Sequence, residues 1–214
     1  MKTLIAIPCM DQVPALFAQS LASLKKVGEC QIAFQMGSLV YTSRNSLANF
    51  AMKHNFDYIF WLDSDMVFSD DILERMMKTA QEQDIDFLTG LYFRRVMPYS
   101  PVLFDKLKPT NSGWDWTNFE EIPEHGLFEV GGCGFGCVLM STEVLLSVYG
   151  KHKYLFHPMQ NGGEDISFCW RARDCGYKIM CDPELVCGHV GYAVVNETYF
   201  RNYKKMEADD EGKE

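Results

Sequence analysis

The chain has 214 residues, 47% of them hydrophobic and 23% charged, with a formal net charge of −9. That length supports one good-sized core and hence one domain, and the composition is ordinary for a soluble globular protein. The acidic balance excludes non-specific nucleic-acid binding, since no basic patch is available to neutralise phosphates.

Residues 2–8 read as a first buried strand, an apolar run stopped by Pro8 and turned by Cys9-Met10-Asp11. Pro8 and Asp11 also cut the run too short for a secretory signal. No later segment approaches a membrane-spanning length, so a soluble, cytoplasmic protein is expected. A helix is predicted over 14–27, with Leu16, Phe17, Leu21 and Leu24 as its apolar stripe and Gly28 ending it. Residues 31–34 form a short second strand. Thr42 or Ser43 then caps a helix running to about His54, with Leu47, Phe50 and Ala51 on one face. Tyr58-Ile59-Phe60-Trp61-Leu62 is a continuous apolar run of strand length. Ser69 is a good N-cap, with Asp70 and Asp71 facing the positive dipole end and Ile72, Leu73, Met76, Met77 and Ala80 as the stripe. Residues 87–92 form another strand. This alternation points to an α/β fold, a mostly parallel sheet with helices on its faces.

After Tyr92 the rhythm changes. Residues 94–128 are loop-rich, with Pro98, Pro101, Pro109, Trp114, Trp116 and Pro123, and hold only short strand candidates such as Val102-Leu103-Phe104. So long a stretch inside a compact domain is usually functional or mobile. Val130-Gly131-Gly132-Cys133-Gly134-Phe135-Gly136-Cys137 precedes a strand at 138–140 and a helix capped by Ser141 or Thr142 that runs to about Tyr149. Asn161-Gly162-Gly163-Glu164-Asp165 opens a helix stopped by Gly176. Short strands follow at 177–180 and 185–187, the second delivering Gly188-His189. Residues 207–214 form an acidic, solvated tail. The eight cysteines include no Cys-x-x-Cys pair, and Cys133 and Cys137 lack finger-like partners, so reduced and mostly buried thiols are expected.

Chemistry gathers at three element ends: Asp63/Asp65, Glu164/Asp165 and His189. Open α/β sheets bind ligands beyond the carboxyl ends of their strands. Two carboxylates separated by a single residue repel unless a cation sits beside them, and carboxylate oxygens suit Mg²⁺ or Mn²⁺. Each group also has an ordinary reading. Asp63-Ser64-Asp65 can be a solvated turn, Glu164 and Asp165 dipole-stabilising residues of a helix start, and His189 a core or surface histidine. Trp114 and Trp116 can stack on a sugar or fold under to cover core.

The ordered set resembles the nucleotide-sugar glycosyltransferases of the GT-A fold, close to their family 2-like group. The matching residues are Asp63-Ser64-Asp65 at a strand end, Gly163-Glu164-Asp165 at a helix start, Gly188-His189, a first strand ending near Pro8 and a helix opening with Arg44-Asn45. The resemblance covers about residues 2–195. It implies one GT-A domain over 1–206, with a nucleotide-binding half at about 1–92, an acceptor and metal-completing half at about 93–195, and the tail beyond. It implies transfer of a sugar from a nucleoside-diphosphate sugar, UDP being the family's frequent choice, to a hydroxyl of a glycan or other acceptor, with Mn²⁺ or Mg²⁺. Asp65 and His189 would hold the metal, and Asp63 would meet ribose hydroxyls or a metal-bound water. Pro8, Cys9, Met10, Asp11, Arg44 and Asn45 would line the nucleotide pocket together with Asp63, Ser64 and Asp65. Asp165 would be the base and Glu164 the acceptor binder, the reverse assignment staying open. Gly131 to Gly136 resembles a wall beneath the donor sugar. Many relatives carry further membrane or lectin modules, so the resemblance also admits a longer multi-domain protein.

Three rivals stand beside this. An apolar strand running into Asp-x-Asp also resembles haloacid-dehalogenase-like phosphatases, with Asp63 as nucleophile, Asp65 as acid/base and Mg²⁺ near Glu164/Asp165. That motif normally closes the first strand of its domain, and here two strand–helix units precede it. A sugar-1-phosphate nucleotidyltransferase would want a glycine-rich basic loop after the first strand, which Pro8-Cys9-Met10-Asp11 is not. A non-catalytic nucleotide-sugar-binding module fits the same residues.

Overall fold

A computed structural model of the chain describes residues 1–37, 39–119, 121–159, 162–191 and 194–211, the side chains of 207–211 excepted. Strand β1 (Lys2–Cys9) is buried on both faces, which is why it reads as an apolar run and not as an alternation. Helix α1 (Ala15–Ser23) starts after Pro14 and stops before Leu24, which turns extended yet stays buried. Phe17 faces the core, whereas Leu16 is 44% exposed and lies outside the expected stripe. Strand β2 (Glu29–Met36) is longer than predicted. Helix α2 (Val40–Lys53) begins two residues before Thr42, with Leu39 at the N-cap and no side-chain cap. Thr42 and Ser43 therefore sit inside the helix, and Ser43 and Arg44 are buried.

Strand β3 (Tyr58–Leu62) has the predicted bounds and leads through a turn to the two-residue β4 (Met66–Val67). Helix α3 (Ile72–Glu82) buries its predicted stripe, but its N-cap is Asp71. The Ser69 hydroxyl donates to the Asp71 carboxylate at 2.6 Å instead of capping the helix. Strand β5 (Phe87–Leu91) follows. Where little regular structure is expected, β6 (Leu103–Thr110) and β7 (Gly113–Asn118) form an antiparallel hairpin. Pro109 is tolerated there because β9 (Gly132–Cys133) pairs only with Leu103 and Phe104, leaving that edge of β6 free. Between them in sequence lies β8 (Phe128–Val130).

Strand β10 (Cys137–Ser141) runs into α4 (Thr142–His152), capped by the Ser141 hydroxyl accepting from the Glu143 N–H at 3.2 Å. Helix α5 (Glu164–Asp174) starts after Gly163; Asn161 lies outside the described residues. One strand, β11 (Ile179–Val186), replaces the two short ones predicted, and β12 (Gly188–Val190) and β13 (Val194–Val195) complete the strands. Helix α6 (Glu197–Glu211), unforeseen from the sequence, carries the backbone into the acidic stretch; residues 212–214 lie outside the described residues.

The central sheet has the order β2-β1-β3-β10-β5-β11-β8, with β2, β1, β3, β5 and β11 running one way and β10 and β8 the other. Two small sheets, β13-β12-β4 and β7-β6-β9, flank it. Side chains alternate across β3, so Ile59 and Trp61 enter one core with Phe135, Phe156 and Phe168, while Phe60 and Leu62 enter the other with Phe17 and Met76. All eight cysteines are free, five of them buried. No helix among the described residues is long and apolar enough to cross a membrane.

Candidate active site

Parallel pairing of β1 with β3, Ala6 opposite Trp61, brings Pro8 and Asp63 to one sheet edge. The turn after β3 is closed by the Met66 N–H on the Asp63 carbonyl at 3.2 Å, and the Asp63 N–H donates to Gly136 at 3.1 Å. Within this turn the two aspartates part company. Asp63 Oδ1 accepts from Arg44 Nη2 at 2.8 Å, and Arg44 Nε donates to Glu164 Oε1 at 3.1 Å. Arg44 is 2% exposed and lies 5.1 Å from the Phe135 ring and 5.8 Å from the Trp61 ring. Burial alone would weaken its hold on the proton, but the charges of Asp63, Glu164 and Asp165 outweigh it and keep the guanidinium ionised. In this structure Arg44 thus serves carboxylates of β3 and α5 instead of lining an open pocket. Asn45 is likewise a brace: it donates to the Tyr41 carbonyl at 2.7 Å and accepts from the Phe156 N–H at 3.1 Å.

Asp65 faces a different set. The β4–β12 pairing sets His189 opposite Met66, and the Asp65 carbonyl accepts the Val190 N–H at 2.8 Å. His189 Nε2 then lies 3.3 Å from Asp65 Oδ2, and its Nδ1 lies 3.0 Å from the Phe93 carbonyl. That carbonyl only accepts, so Nδ1 carries a proton, and Nε2, turned toward Asp65, donates to it when the ring is charged. Arg95 Nη1 reaches the same Oδ2 at 2.6 Å. Burial raises the Asp65 carboxyl's pKa, yet the His189 bond and charge and the Arg95 charge overcome it and hold the group below its ordinary value. His189 is shifted up for the reciprocal reason: burial disfavours its charge, and the hydrogen bond and charge of Asp65 prevail.

At the start of α5, Asp165 Oδ1 accepts the Ile166 N–H at 2.7 Å. Its carboxyl is pushed up to about 6, first by burial and then by the charge of Glu164, against the opposing pull of the Ile166 N–H and Arg44. A carboxyl with that affinity is suited to proton transfer near neutrality. Glu164 is committed through Oε1 to Arg44. Trp114 covers this segment, donating from Nε1 to the Met159 carbonyl at 2.9 Å, so a Cβ on Gly162 would stand 1.9 Å from the indole nitrogen. Trp116 is 43% exposed, edge-on to Phe104.

The remaining candidates are placed as follows. Cys9 and Met10 sit at the end of β1, their carbonyls accepting the Gly37 N–H at 3.3 and 3.1 Å, with Asp11 just beyond. Ser64 lies in the turn between the aspartates. The glycines of 131–136 face protein: a Cβ on Gly134 would meet Tyr92 Oη at 2.0 Å, and one on Gly131 would meet the Asp105 carbonyl oxygen at 2.4 Å. Close packing against Tyr92 and β6 is thus sufficient cause for them. Among the described residues no three His, Cys, Asp or Glu side chains converge as a metal cluster. Asp65 and His189 offer two donors, an oxygen and a nitrogen, compatible with Mn²⁺ or Mg²⁺ if water or substrate oxygens complete the shell. Arg95 was missed; its only sequence signal is the pair Arg94-Arg95 just past a strand.

No protein-family model matches the chain, and no curated protein matches its sequence. Solved structures do. A197 from STIV superposes with a TM-score of 0.63 at 23% identity, covering 89% of this chain and 86% of that one. GalNAc-T7, solved with UDP, GalNAc and Mn²⁺, superposes with a TM-score of 0.59 at 10% identity, covering 89% of this chain but 43% of its own. This chain therefore spans less than half of GalNAc-T7. At these identities the likeness shows the fold, the mixed α/β GT-A architecture with its mostly parallel central sheet.

Proposed function

We propose that the protein is a glycosyltransferase that moves a sugar from a nucleoside-diphosphate sugar, UDP-linked in the first instance, to a hydroxyl of a glycan or other acceptor. The observation that carries this is the approach of His189 Nε2 to Asp65 Oδ2 at 3.3 Å just past β3, where Asp63 is tied through Arg44 to Glu164 at the start of α5. The complex of GalNAc-T7 with UDP, GalNAc and Mn²⁺ on the same fold supports it. Asp65 and His189 would hold Mn²⁺ or Mg²⁺, which when bound supplies Lewis acidity to the diphosphate leaving group. Asp165 takes the proton of the acceptor hydroxyl. Glu164, tied to Arg44, orients the start of α5 and contacts the acceptor. Asp63 presents its second oxygen to ribose or a metal-bound water, and Pro8, Cys9, Met10, Asp11 and Ser64 flank the nucleotide. The phosphatase reading asks Asp63 to be a free nucleophile, and its bond to buried Arg44 counts against that.

A thermal-shift screen of nucleotide sugars with and without Mn²⁺ tests the proposal, because a ligand at 100 times its Kd stabilises the fold by about 2.7 kcal/mol. The Mn²⁺-dependent rise is expected in the wild type and absent in Asp65→Ala. A rise that survives in Asp65→Ala refutes the site, and binding without any transfer or donor hydrolysis leaves only the binding module.

A further inference from the structure

Arg95 is held at Asp65 Oδ2 by a built support. It rides on the turn after β5, closed by the Arg94 N–H on the Ser100 carbonyl and the Tyr99 N–H on the Val96 carbonyl, both at 2.9 Å, and by a bridge between Phe93 and Pro101. Helix α6 clamps this turn. The Phe200 ring stacks on Phe93 at 5.2 Å, and the Tyr199 and Tyr203 rings meet Tyr99 at 5.6 and 6.5 Å. So placed, Arg95 Nη1 donates to Asp65 Oδ2 at 2.6 Å and to the Val190 carbonyl at 3.2 Å, while its side chain stays 50% exposed.

His189 Nε2 faces that same oxygen. A divalent cation held by His189 and Asp65 Oδ2 would compete with the guanidinium for that oxygen, and two positive groups a few ångströms apart repel even at surface dielectric. A half-exposed arginine can swing away. Its planar fork suits phosphate oxygens, and a metal at Asp65 would bring a diphosphate beside it. We propose that Arg95 is an exchangeable counter-ion: it neutralises Asp65 while the site is empty, yields to the cation, and then pairs with the diphosphate. Metal and nucleotide loading are thereby coupled. This rests on the glycosyltransferase reading above.

One substitution then acts with opposite signs on two ligands. Mn²⁺ binding to the full chain, read from the electron-paramagnetic signal of free Mn²⁺ without nucleotide, is expected to be about tenfold tighter in Arg95→Ala than in the wild type. UDP binding at saturating Mn²⁺, read by calorimetry, is expected to be about tenfold weaker. Arg95→Lys keeps the charge without the fork and should retain wild-type Mn²⁺ affinity but lose part of the UDP affinity. Unchanged or weaker Mn²⁺ binding by Arg95→Ala overturns the exchange, as does unchanged UDP binding. Asp65→Ala separates the two readings. If it binds Mn²⁺ as the wild type does, the metal site itself is misplaced and both fall; if it loses Mn²⁺ while Arg95→Ala gains nothing, only the exchange falls.

Discussion

Asp63 and Asp65 carry the same carboxylate with one residue between them, and each meets an arginine at almost the same distance, 2.8 and 2.6 Å. The arginines differ. Arg44 comes from inside α2 with its side chain 3% exposed, and it also holds Glu164, whereas Arg95 comes from a surface turn and is 50% exposed. Contact length therefore says little about what each pair does. A buried charge deprived of its partner is strongly destabilising, while an exposed pair contributes little because water replaces the partner. The Arg44 contact consequently ties β3 to α5 through a buried cation, whereas the Arg95 contact can open to water.

The largest effect should come from breaking the buried side. Arg44→Ala leaves Asp63 and Glu164 without their shared cation, and a stability loss of about 3–5 kcal/mol is expected by urea denaturation. Arg44→Lys should recover only part of it, since one ammonium cannot present the directed fork that serves both carboxylates. A loss below about 1 kcal/mol would place Arg44 with the exposed pairs and erase the comparison.

The uneven legibility of this site in the sequence has the same physical root. The bounds of β3 rest on a continuous apolar run and the stripe of α3 on helical periodicity, both local signals that the sequence displays. The start of α2 was misread because Thr42 and Ser43 look like caps, yet the chain turns at Leu39 without any side-chain cap. The β6–β7 hairpin was hidden by Pro109, tolerable only because that edge of β6 is free. The residues Asp63, Asp65, Glu164, Asp165 and His189 could be nominated from their places at element ends. Their partners could not, because Arg44 and Glu164 are 120 positions apart and Arg95 and Asp65 are 30 apart. Such pairings are set by sheet order and by α6, neither of which has a local signature.

A middle-sized effect should separate Asp165 from the charges around it. Its carboxyl titrates near 6 in the fold against an ordinary 3.8. Between those values the folded chain binds the extra proton, so the contribution of this group to stability falls as pH rises through the window and stays low above it. Asp165→Asn removes the ionisation. Relative to the wild type it should gain about 1–3 kcal/mol at pH 7.5 and nothing at pH 4, measured by urea denaturation at both. Equal destabilisation at both values would mean that the bond to the Ile166 N–H, and not the buried charge, governs the site.

The smallest effect isolates function from packing on the exposed side. Arg201 pairs with Glu197 across one turn of α6, its Nε on Oε1 at 2.7 Å, and its side chain is 50% exposed, as Arg95 is. If exposure alone set the worth of an arginine, Arg95→Ala and Arg201→Ala would be interchangeable. In stability they should be alike: Arg201→Ala is expected to cost below about 0.5 kcal/mol. In Mn²⁺ affinity they should diverge, because Arg201 pairs with a helix glutamate while Arg95 occupies the oxygen that a metal at Asp65 would take. Parallel melting curves with divergent Mn²⁺ titrations would assign the Arg95 contact to loading. Parallel behaviour in both would return Arg95 to the class of surface ion pairs.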